Sequence, residues 1–260
     1  DGVKSVSPNM KVEILLQDSV PLIQEGILAG QLDRNGNDCM VSGEECLIGE
    51  GTKIAIIDTG IDYTHEDLGG CTEVQFIEGN CMKVIGGFDF VNNDSNPMDD
   101  HGHGTHCAGI AAGNGTLNGV APGSQILAYK VLDSRGGGSF EGVIAGIERA
   151  VQDGADILSL SLGGYGNPDD PQSLAVDNAV LAGKVVLVAA GKSGQNTETI
   201  GSPGTSRRAI TVGASNKTDN LASFSSRGPV IWTNDSGSQL MVKPDISAPG
   251  VNICAAQSSG

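Results

Sequence analysis

Short apolar runs alternate along this sequence with stretches whose apolar residues have helical spacing. The run 53–57 is apolar after its first residue and ends at Asp58, which predicts a strand buried on both faces. The same pattern predicts further strands at 126–132, 157–162, 185–190 and 209–212. Apolar residues three and four positions apart predict helices at 141–152 and 173–181, the second closed by Gly183.

Strands that alternate with helices are typical of βαβ units and therefore predict a mainly parallel sheet. Such sheets bind their ligands beyond the carboxyl ends of the strands. Asp58, the stretch 161–164 and Lys192 each follow a predicted strand, so we expect them to line one crevice. Residues 1–50 are polar and irregular, and we predict that they form an N-terminal extension packed on a single domain at 51–260.

Composition and charge narrow the functional classes. The 260 residues carry a formal net charge of −16, which excludes a nucleic-acid partner, because a phosphate backbone is bound by clustered Lys and Arg. The same charge excludes binding to anionic membrane surfaces. No apolar run reaches the roughly 20 residues that a membrane helix requires. Only 3% of the residues are aromatic, so we expect a core of Val, Ile, Leu and Ala.

Four of the six cysteines bracket two short polar loops, Cys39 with Cys46 and Cys71 with Cys81. This placement predicts two local disulfides, which are typical of exported proteins. Free thiols or a metal site are the alternative, although the Cys-x-x-Cys spacing of structural zinc sites is absent.

The remaining cysteines, Cys107 and Cys254, lie in apolar stretches and are interpreted as buried small hydrophobic residues. The chain begins at Asp1 without an initiator methionine or a signal peptide, and we expect a mature or trimmed form. Together with the predicted disulfides and the acidic charge, this favours a secreted or cell-surface location.

Asp58 and His103 are the candidate catalytic residues. Asp58 follows a buried strand, and His103 stands just before an apolar stretch that is helical in pattern. A carboxylate beside one imidazole nitrogen fixes the tautomer, so the other nitrogen can act as a base near neutral pH. Two alternatives remain open. Asp58 alone could be a turn or capping residue, and His101, His103 and His106 could form a metal cluster, although they lack the i, i+4 spacing of zinc enzymes.

The strings around these two residues resemble the first two active-site blocks of the subtilisin-like serine peptidases, the subtilases. Asp58 lies in Ile-Asp-Thr-Gly-Ile-Asp and His103 begins His-Gly-Thr-His-Cys-Ala-Gly, and the order Asp then His is that family's order. The resemblance covers about residues 50–255. It continues through Gly119-Val-Ala-Pro, Ser161-Leu-Gly-Gly, Ser202-Pro-Gly-Thr, Phe224-Ser-Ser-Arg-Gly-Pro and Lys243-Pro-Asp-Ile-Ser-Ala-Pro-Gly.

The resemblance implies a three-layer α/β sandwich around a mainly parallel sheet, and a serine endopeptidase in which His103 is the base and Asp58 orients it. It also implies two walls between which a substrate peptide lies as an added strand. The residues carried over to these walls are Gly136, Gly137 and Gly138 on one side and Ser161, Leu162 and Gly163 on the other. A flexible loop is the alternative for the three glycines, and Phe140 is either a pocket floor or a core residue.

The sequence departs from the family pattern at the nucleophile. The family's Gly-Thr-Ser-Met-Ala follows the Ala-Pro-Gly stretch, and this string is absent from the 260 residues. Ser206 follows Gly-Thr, but Arg207 comes next, so Ser206 does not fit the motif. We therefore expect a fold that lacks its C-terminal part and a serine carried by a separate or C-terminal segment. The alternative is an inactive subtilisin-fold fragment or pseudopeptidase that binds peptides or has a structural role.

A second departure is Lys192, which stands where the family has the asparagine that stabilises the oxyanion. A lysine has a longer and more flexible stem, so we expect reduced activity. The chemistry requires no cofactor. Structural calcium is expected only in acidic loops such as 94–100, since the family's calcium loop is short here at 114–118, and the sequence fixes no metal ligands. The expected partners are peptide or protein substrates and a separate propeptide.

Overall fold

The centre of the fold is a seven-stranded sheet in which every neighbouring pair of strands is parallel. The computed structural model describes residues 11–14 and 46–258. The strands of the central sheet are β2 (Lys53–Asp58), β3 (Val84–Asp89), β4 (Gln125–Lys130), β6 (Ile157–Leu160), β8 (Val185–Ala189), β9 (Ile210–Ser215) and β12 (Ile246–Pro249). Their order across the sheet is β12-β9-β8-β6-β2-β4-β3.

Two small antiparallel sheets accompany the central one. The first consists of β1 (Lys11–Ile14), β5 (Gly137–Ser139) and β7 (Leu162–Gly163), with β1 in the middle. The second is a hairpin of β10 (Val230–Asn234) and β11 (Gly237–Met241). The described helices are α1 (Glu73–Ile77), α2 (His103–Ala112), α3 (Phe140–Gln152) and α4 (Pro171–Leu181), with a short 3₁₀ turn at Glu66–Leu68.

Strand β2 shows how the layers form. Ala55 and Ile57 point to one face of the sheet, where they join a buried cluster with apolar residues of α3 and α4. Ile54 and Ile56 point to the other face, where the buried cluster includes Cys107 and Ala108 of α2. Because successive side chains of a strand alternate between faces, an unbroken apolar run is buried on both. The predicted three-layer α/β sandwich is confirmed.

The elements predicted from the apolar pattern are present with shifted ends. The predicted run 157–162 is divided, because β6 ends at Leu160 and Leu162 belongs to β7. Helix α4 begins two residues before its predicted start, where the Asp170 side chain accepts a hydrogen bond from the Ser173 N–H and Pro171 takes the first turn. The pattern gave no prediction for β3, α1, the hairpin or β12.

The cysteines follow the prediction at four positions. Cys71 and Cys81 form a disulfide, and Cys46 is disulfide-bonded as well, whereas Cys39 lies outside the described residues. Cys107 is a buried free thiol, as expected. The prediction that Cys254 is buried is wrong, because it is exposed. Its neighbour Ile253 takes the inward position in this segment without regular structure.

Only 11–14 and 46–50 of the predicted N-terminal extension belong to the described residues, so the boundary at residue 50 stays a prediction. Residues 11–14 pair with β5 and β7 through their backbones. In the part of the chain that the structure describes, no helix has the length and hydropathy required to cross a bilayer.

Gly104, the second residue of α2, allows this helix to approach the loop after β2. A Cβ atom at position 104 would lie 2.0 Å from the carbonyl oxygen of Gly60. We expect Gly104→Ala to lower the free energy of unfolding by about 1–3 kcal/mol, because backbone must shift to relieve this overlap. The measurement is urea denaturation followed by circular dichroism.

Gly142, the third residue of α3, is the matched control. A Cβ atom there would meet nothing closer than 3.6 Å. Gly142→Ala should be neutral or stabilising by up to about 1 kcal/mol, because alanine is the better helix former. Equal effects of the two substitutions would show that the close approach at Gly104 is unimportant.

Candidate active site

Asp58 is the last residue of β2 and lies at the carboxyl edge of the central sheet. Only 1% of its surface is exposed. Its Oδ1 accepts a hydrogen bond of 2.7 Å from the N–H of Thr59. Its Oδ2 is buried and has no hydrogen-bond partner among the described residues. The apolar strand therefore delivers a nearly buried carboxylate to the crevice where parallel sheets bind ligands.

His103 is the first residue of α2, which packs on β2 and β4. Its Nδ1 lies 2.7 Å from Oδ1 of Asp58, and the side chain is almost buried. An ionised carboxylate only accepts, so Nδ1–H donates and Nε2 is left free for a proton. The structure thus brings together the two residues that the sequence singled out, 45 positions apart.

The surroundings shift the pKa of His103 in two opposing ways. Burial lowers the pKa, because it disfavours the charged imidazolium. The nearby charge of Asp58 and its hydrogen bond raise the pKa, and the net result lies above the ordinary value of 6.5. The carboxylate is therefore suited to stabilise the imidazolium that forms when Nε2 takes a proton.

Cys107 completes a cluster that sequence reasoning missed. It lies one helical turn after His103, and its Sγ is 4.0 Å from both ring nitrogens. Ligand atoms of Asp58, His103 and Cys107 all lie within 4.8 Å of one another. The i, i+4 spacing of His103 and Cys107 on a helix was the available signal.

The other two histidines do not converge on His103. His101 is exposed, and its ring centroid is 6.4 Å from that of His103. His106 Nε2 lies 3.2 Å from the carbonyl oxygen of Ile253. Among the described residues, these three histidines do not form a metal cluster, which removes the alternative interpretation of the motif.

The two predicted walls lie on either side of an extended strand. Gly137 and Gly138 belong to β5, while Gly136 precedes it in a turn with φ 73° and Leu162 and Gly163 form β7. Ser161 stands directly before β7.

Strand β1 of the same chain lies between these walls. Val12 is paired with Gly138 and Glu13 with Gly137, and on the other side Glu13 is paired with Gly163 and Ile14 with Leu162. Both pairings are antiparallel. The geometry is that of an added strand held by backbone groups, and its occupant here is the N-terminal segment.

Lys192 follows β8 and is half-buried. It lines a cavity of about 590 Å³ together with the wall residue Gly163. None of the described residues forms a hydrogen bond or ion pair with its ammonium group. Other residues lining this cavity include Gly164, Gly191, Ile200 and Trp232.

An apolar groove of about 260 Å³ reaches Cys107 of this cluster. It extends from Cys107 of α2 across the ends of β6 and β8 to β12. Ala248, Pro249 and Gly250, the stretch that precedes the nucleophile in the resembled family, line the groove. The lining is apolar except for a few groups that include Ser161.

Two further candidates from the sequence have structural roles. The Ser206 hydroxyl is fully buried and donates to Asp177 at 2.6 Å, so it is engaged away from the Asp58–His103 pair. Phe140 is 3% exposed and belongs to the main apolar cluster, which favours its interpretation as a core residue.

Two carboxylates of the acidic loop 94–100 have partners within the protein. Both oxygens of Asp99 accept hydrogen bonds from protein donors, and Asp100 forms an ion pair with Lys130. Structural calcium, in this loop or elsewhere in the chain, stays a prediction.

Comparisons with known proteins bear on the family and the fold. The profile of the subtilase family matches residues 49–260. The minor extracellular protease Vpr of Bacillus subtilis (strain 168) is 44% identical over 231 residues, and the alignment covers 82% of this chain. The serine protease AprX of the same organism is 38% identical over 281 residues, covering 99% of this chain.

The solved structure of sphericase superimposes with a TM-score of 0.67 and 33% identity, covering 82% of this chain and 70% of that one. Thermitase of Thermoactinomyces vulgaris is 42% identical over 207 residues, covering 78% of this chain. The chain spans only part of its relatives: 27% of Vpr, 56% of AprX and 64% of thermitase.

Asp58→Asn removes the charge that raises the pKa of His103. We expect this pKa to fall by roughly 1–3 units, because burial then acts without an opposing carboxylate. The measurement is a pH titration of the imidazole ¹⁵N resonances. Asp177→Asn is the control, since Asp177 is also buried but bonds to Ser206 and Arg208. A similar pKa in wild type and Asp58→Asn would contradict the assignment.

The same shift predicts a pH-dependent stability. The folded pKa of His103 lies above its ordinary value of 6.5. The stability from the ion pair is therefore fully present just below pH 6.5 and is lost as pH rises through the raised pKa. The difference in unfolding free energy between wild type and Asp58→Asn should shrink along that rise, as measured by urea denaturation at several pH values.

Proposed function

The chain belongs to the subtilase family, and on that premise we propose that it carries the base and the substrate cleft of a serine endopeptidase that hydrolyses internal peptide bonds. One observation carries the proposal. The hydrogen bond of 2.7 Å between Asp58 and His103 lies at the carboxyl edge of the central sheet, and the cleft walls β5 and β7 follow the strands β4 and β6 of that sheet along the chain. The family's serine protease relatives support the reaction class.

His103 is the general base in this proposal. In the neutral imidazole, Nδ1–H is held by Asp58, so Nε2 accepts the proton of the attacking serine hydroxyl and later gives it to the leaving amine. Asp58 remains ionised throughout and stabilises the imidazolium. Lys192 takes the place of the oxyanion donor, with an ammonium group in place of an amide and a correspondingly reduced rate.

The nucleophile belongs, in this proposal, to a segment outside these 260 residues. None of the serines in the sequence lies in the family's Gly-Thr-Ser-Met-Ala string. In the family this string follows Ala-Pro-Gly, and here Ala248, Pro249 and Gly250 line the apolar groove beside Cys107. An apolar segment in this groove would bring its serine to Nε2 of His103.

The cleft accepts its substrate as an added strand between β5 and β7. The N-terminal segment already takes this place through β1, so it acts as an internal occupant that substrates must displace. Pairing through backbone groups suits protein and peptide substrates of varied sequence. Export from the cell is part of the proposal and is supported by the Cys71–Cys81 disulfide and by the similarity to the minor extracellular protease Vpr.

The decisive experiment is labelling with a fluorophosphonate probe, followed by intact mass measurement and peptide mapping. We expect the protein from its native source to be labelled on a serine outside residues 1–260, and the 260-residue chain alone to remain unlabelled. His103→Ala should abolish labelling, because the serine loses its base.

A native protein that is not labelled would support the alternative function, a subtilisin-fold module that binds peptides without cleaving them. Labelling of a serine within the 260-residue chain would contradict the placement of the nucleophile.

Val12→Pro should expose the cleft. Strand β1 lies between two strands, so each of its N–H groups faces a neighbouring strand. Proline lacks this group, so the substitution weakens the pairing of β1 with β5 and β7. We expect a fluorescein-labelled peptide with the sequence of residues 9–16 to bind the variant at least about tenfold more tightly than the wild type, as measured by fluorescence anisotropy. Val12→Ala keeps the N–H and is the matched control. Equal binding by both variants would show that β1 does not block the cleft.

A further inference from the structure

Thr59, the residue after Asp58, is fully buried and makes four hydrogen bonds. Its N–H donates to Asp58 at 2.7 Å, and its carbonyl oxygen accepts from Lys130 Nζ at 2.8 Å. Its hydroxyl donates to Oδ1 of Asp99 at 2.9 Å and accepts from the N–H of Gly104 at 2.8 Å. Thr59 therefore contacts the residue before it on β2 and the residue after His103 on α2.

Asp99 also binds the start of α2 through hydrogen bonds. Its Oδ1 accepts the Thr59 hydroxyl and the N–H groups of His101 and Gly102, at 3.0 and 2.9 Å. Its Oδ2 accepts the N–H and the hydroxyl of Thr105, at 2.9 and 2.6 Å. Five donors thus meet one carboxylate that is only 3% exposed, and His103 lies between the residues they fix.

Lys130 fixes the carbonyl side of Thr59. Its side chain is fully buried, and Nζ donates to the carbonyl oxygens of Thr59 and Leu132 and to Asp100. Burying an ammonium group without hydrogen-bond partners costs free energy. The three acceptors therefore hold Nζ in one position, and Nζ in turn holds the acceptors. Both ends of Thr59 are therefore held while its hydroxyl bridges to α2.

We propose that Thr59 is a positioning residue, whose hydroxyl bridges the loop of Asp58 to the first turn of α2 and so sets the Asp58–His103 hydrogen bond. The role rests on the proposed function only in that this pair is the catalytic one. Asp58 Oδ2 has no partner among the described residues, so the Thr59 N–H and His103 alone orient the carboxylate. Loss of the hydroxyl would leave the buried N–H of Gly104 without a hydrogen-bond acceptor. The free-energy cost of this unpaired group favours a movement of α2 away from the loop.

The test compares Thr59→Val, which keeps the shape without the hydroxyl, with Thr59→Ser, which keeps the hydroxyl. Two NMR readouts on the full 260-residue chain report the pair without needing the serine: the low-field resonance of the His103 Nδ1–H and the titration of its imidazole nitrogens. In Thr59→Val we expect loss of the low-field resonance and a fall of about 1 unit or more in the pKa of His103. Thr59→Ser should retain both signals.

Thr211→Val is the matched control for a merely structural effect. Thr211 is also fully buried, and its hydroxyl donates to the carbonyl oxygen of Gly204 at 2.8 Å. This variant should lose comparable stability and keep the wild-type signals of His103. Unchanged signals in a folded Thr59→Val, or equal changes in Thr211→Val, would overturn the proposal.

Asp99→Asn is the second variant if Thr59→Val does not fold. The amide has one oxygen where the carboxylate has two, so one group of donors loses its acceptor while the volume is kept. We expect the same loss of the low-field resonance, and its retention in the folded variant would overturn the proposal. These readouts are independent of the fluorophosphonate experiment, so a positioning role could hold even if no serine is labelled.

Discussion

The site depends on the buried hydrogen bond between Asp58 and His103. This bond forms only if strand β2 and helix α2, which are far apart in sequence, are held in fixed positions. Strand β2 is fixed because it is buried on both faces, and α2 is fixed because it packs on that strand through Cys107 and Ala108. The pair is nearly dry, so its electrostatic attraction is much stronger than it would be in water. The same dryness makes it dependent on neighbours such as Thr59 that satisfy the remaining polar groups.

The sequence could predict the parts of the fold that depend on local pattern. The run 53–57 has its apolar residues on both faces, and the amphipathic stretch at 141–152 buries one stripe against the sheet, so both were found. Asp58 and His103 were found because their strings resemble a family with a known order of active-site residues. The resemblance also indicated the glycine wall, whose residues pattern alone would have left as a flexible loop.

The features that were missed depend on tertiary partners. Strand β3 contains Gly86 and Gly87, which weaken any strand prediction, yet a Cβ atom at Gly87 would lie 1.9 Å from the carbonyl oxygen of Ala128 on β4. Cys254 stands in an apolar string, and only the folded chain shows which of two neighbours points inward. The position of β1 between the walls could not be predicted, because the residues of β5 with which it pairs lie more than 120 positions away in sequence.

Strand β1 belongs to the same chain as the cleft that it fills. This covalent link affects how well a free peptide can compete with β1 for the cleft. A tethered ligand acts at an effective concentration set by the chain that joins it, on the order of millimolar for short flexible links. A free peptide of equal intrinsic affinity competes poorly as long as its concentration lies far below this effective concentration. Cutting the chain after residue 14 would turn this local concentration into that of an ordinary dilute peptide, and a single cleavage would open the cleft without any change in its shape.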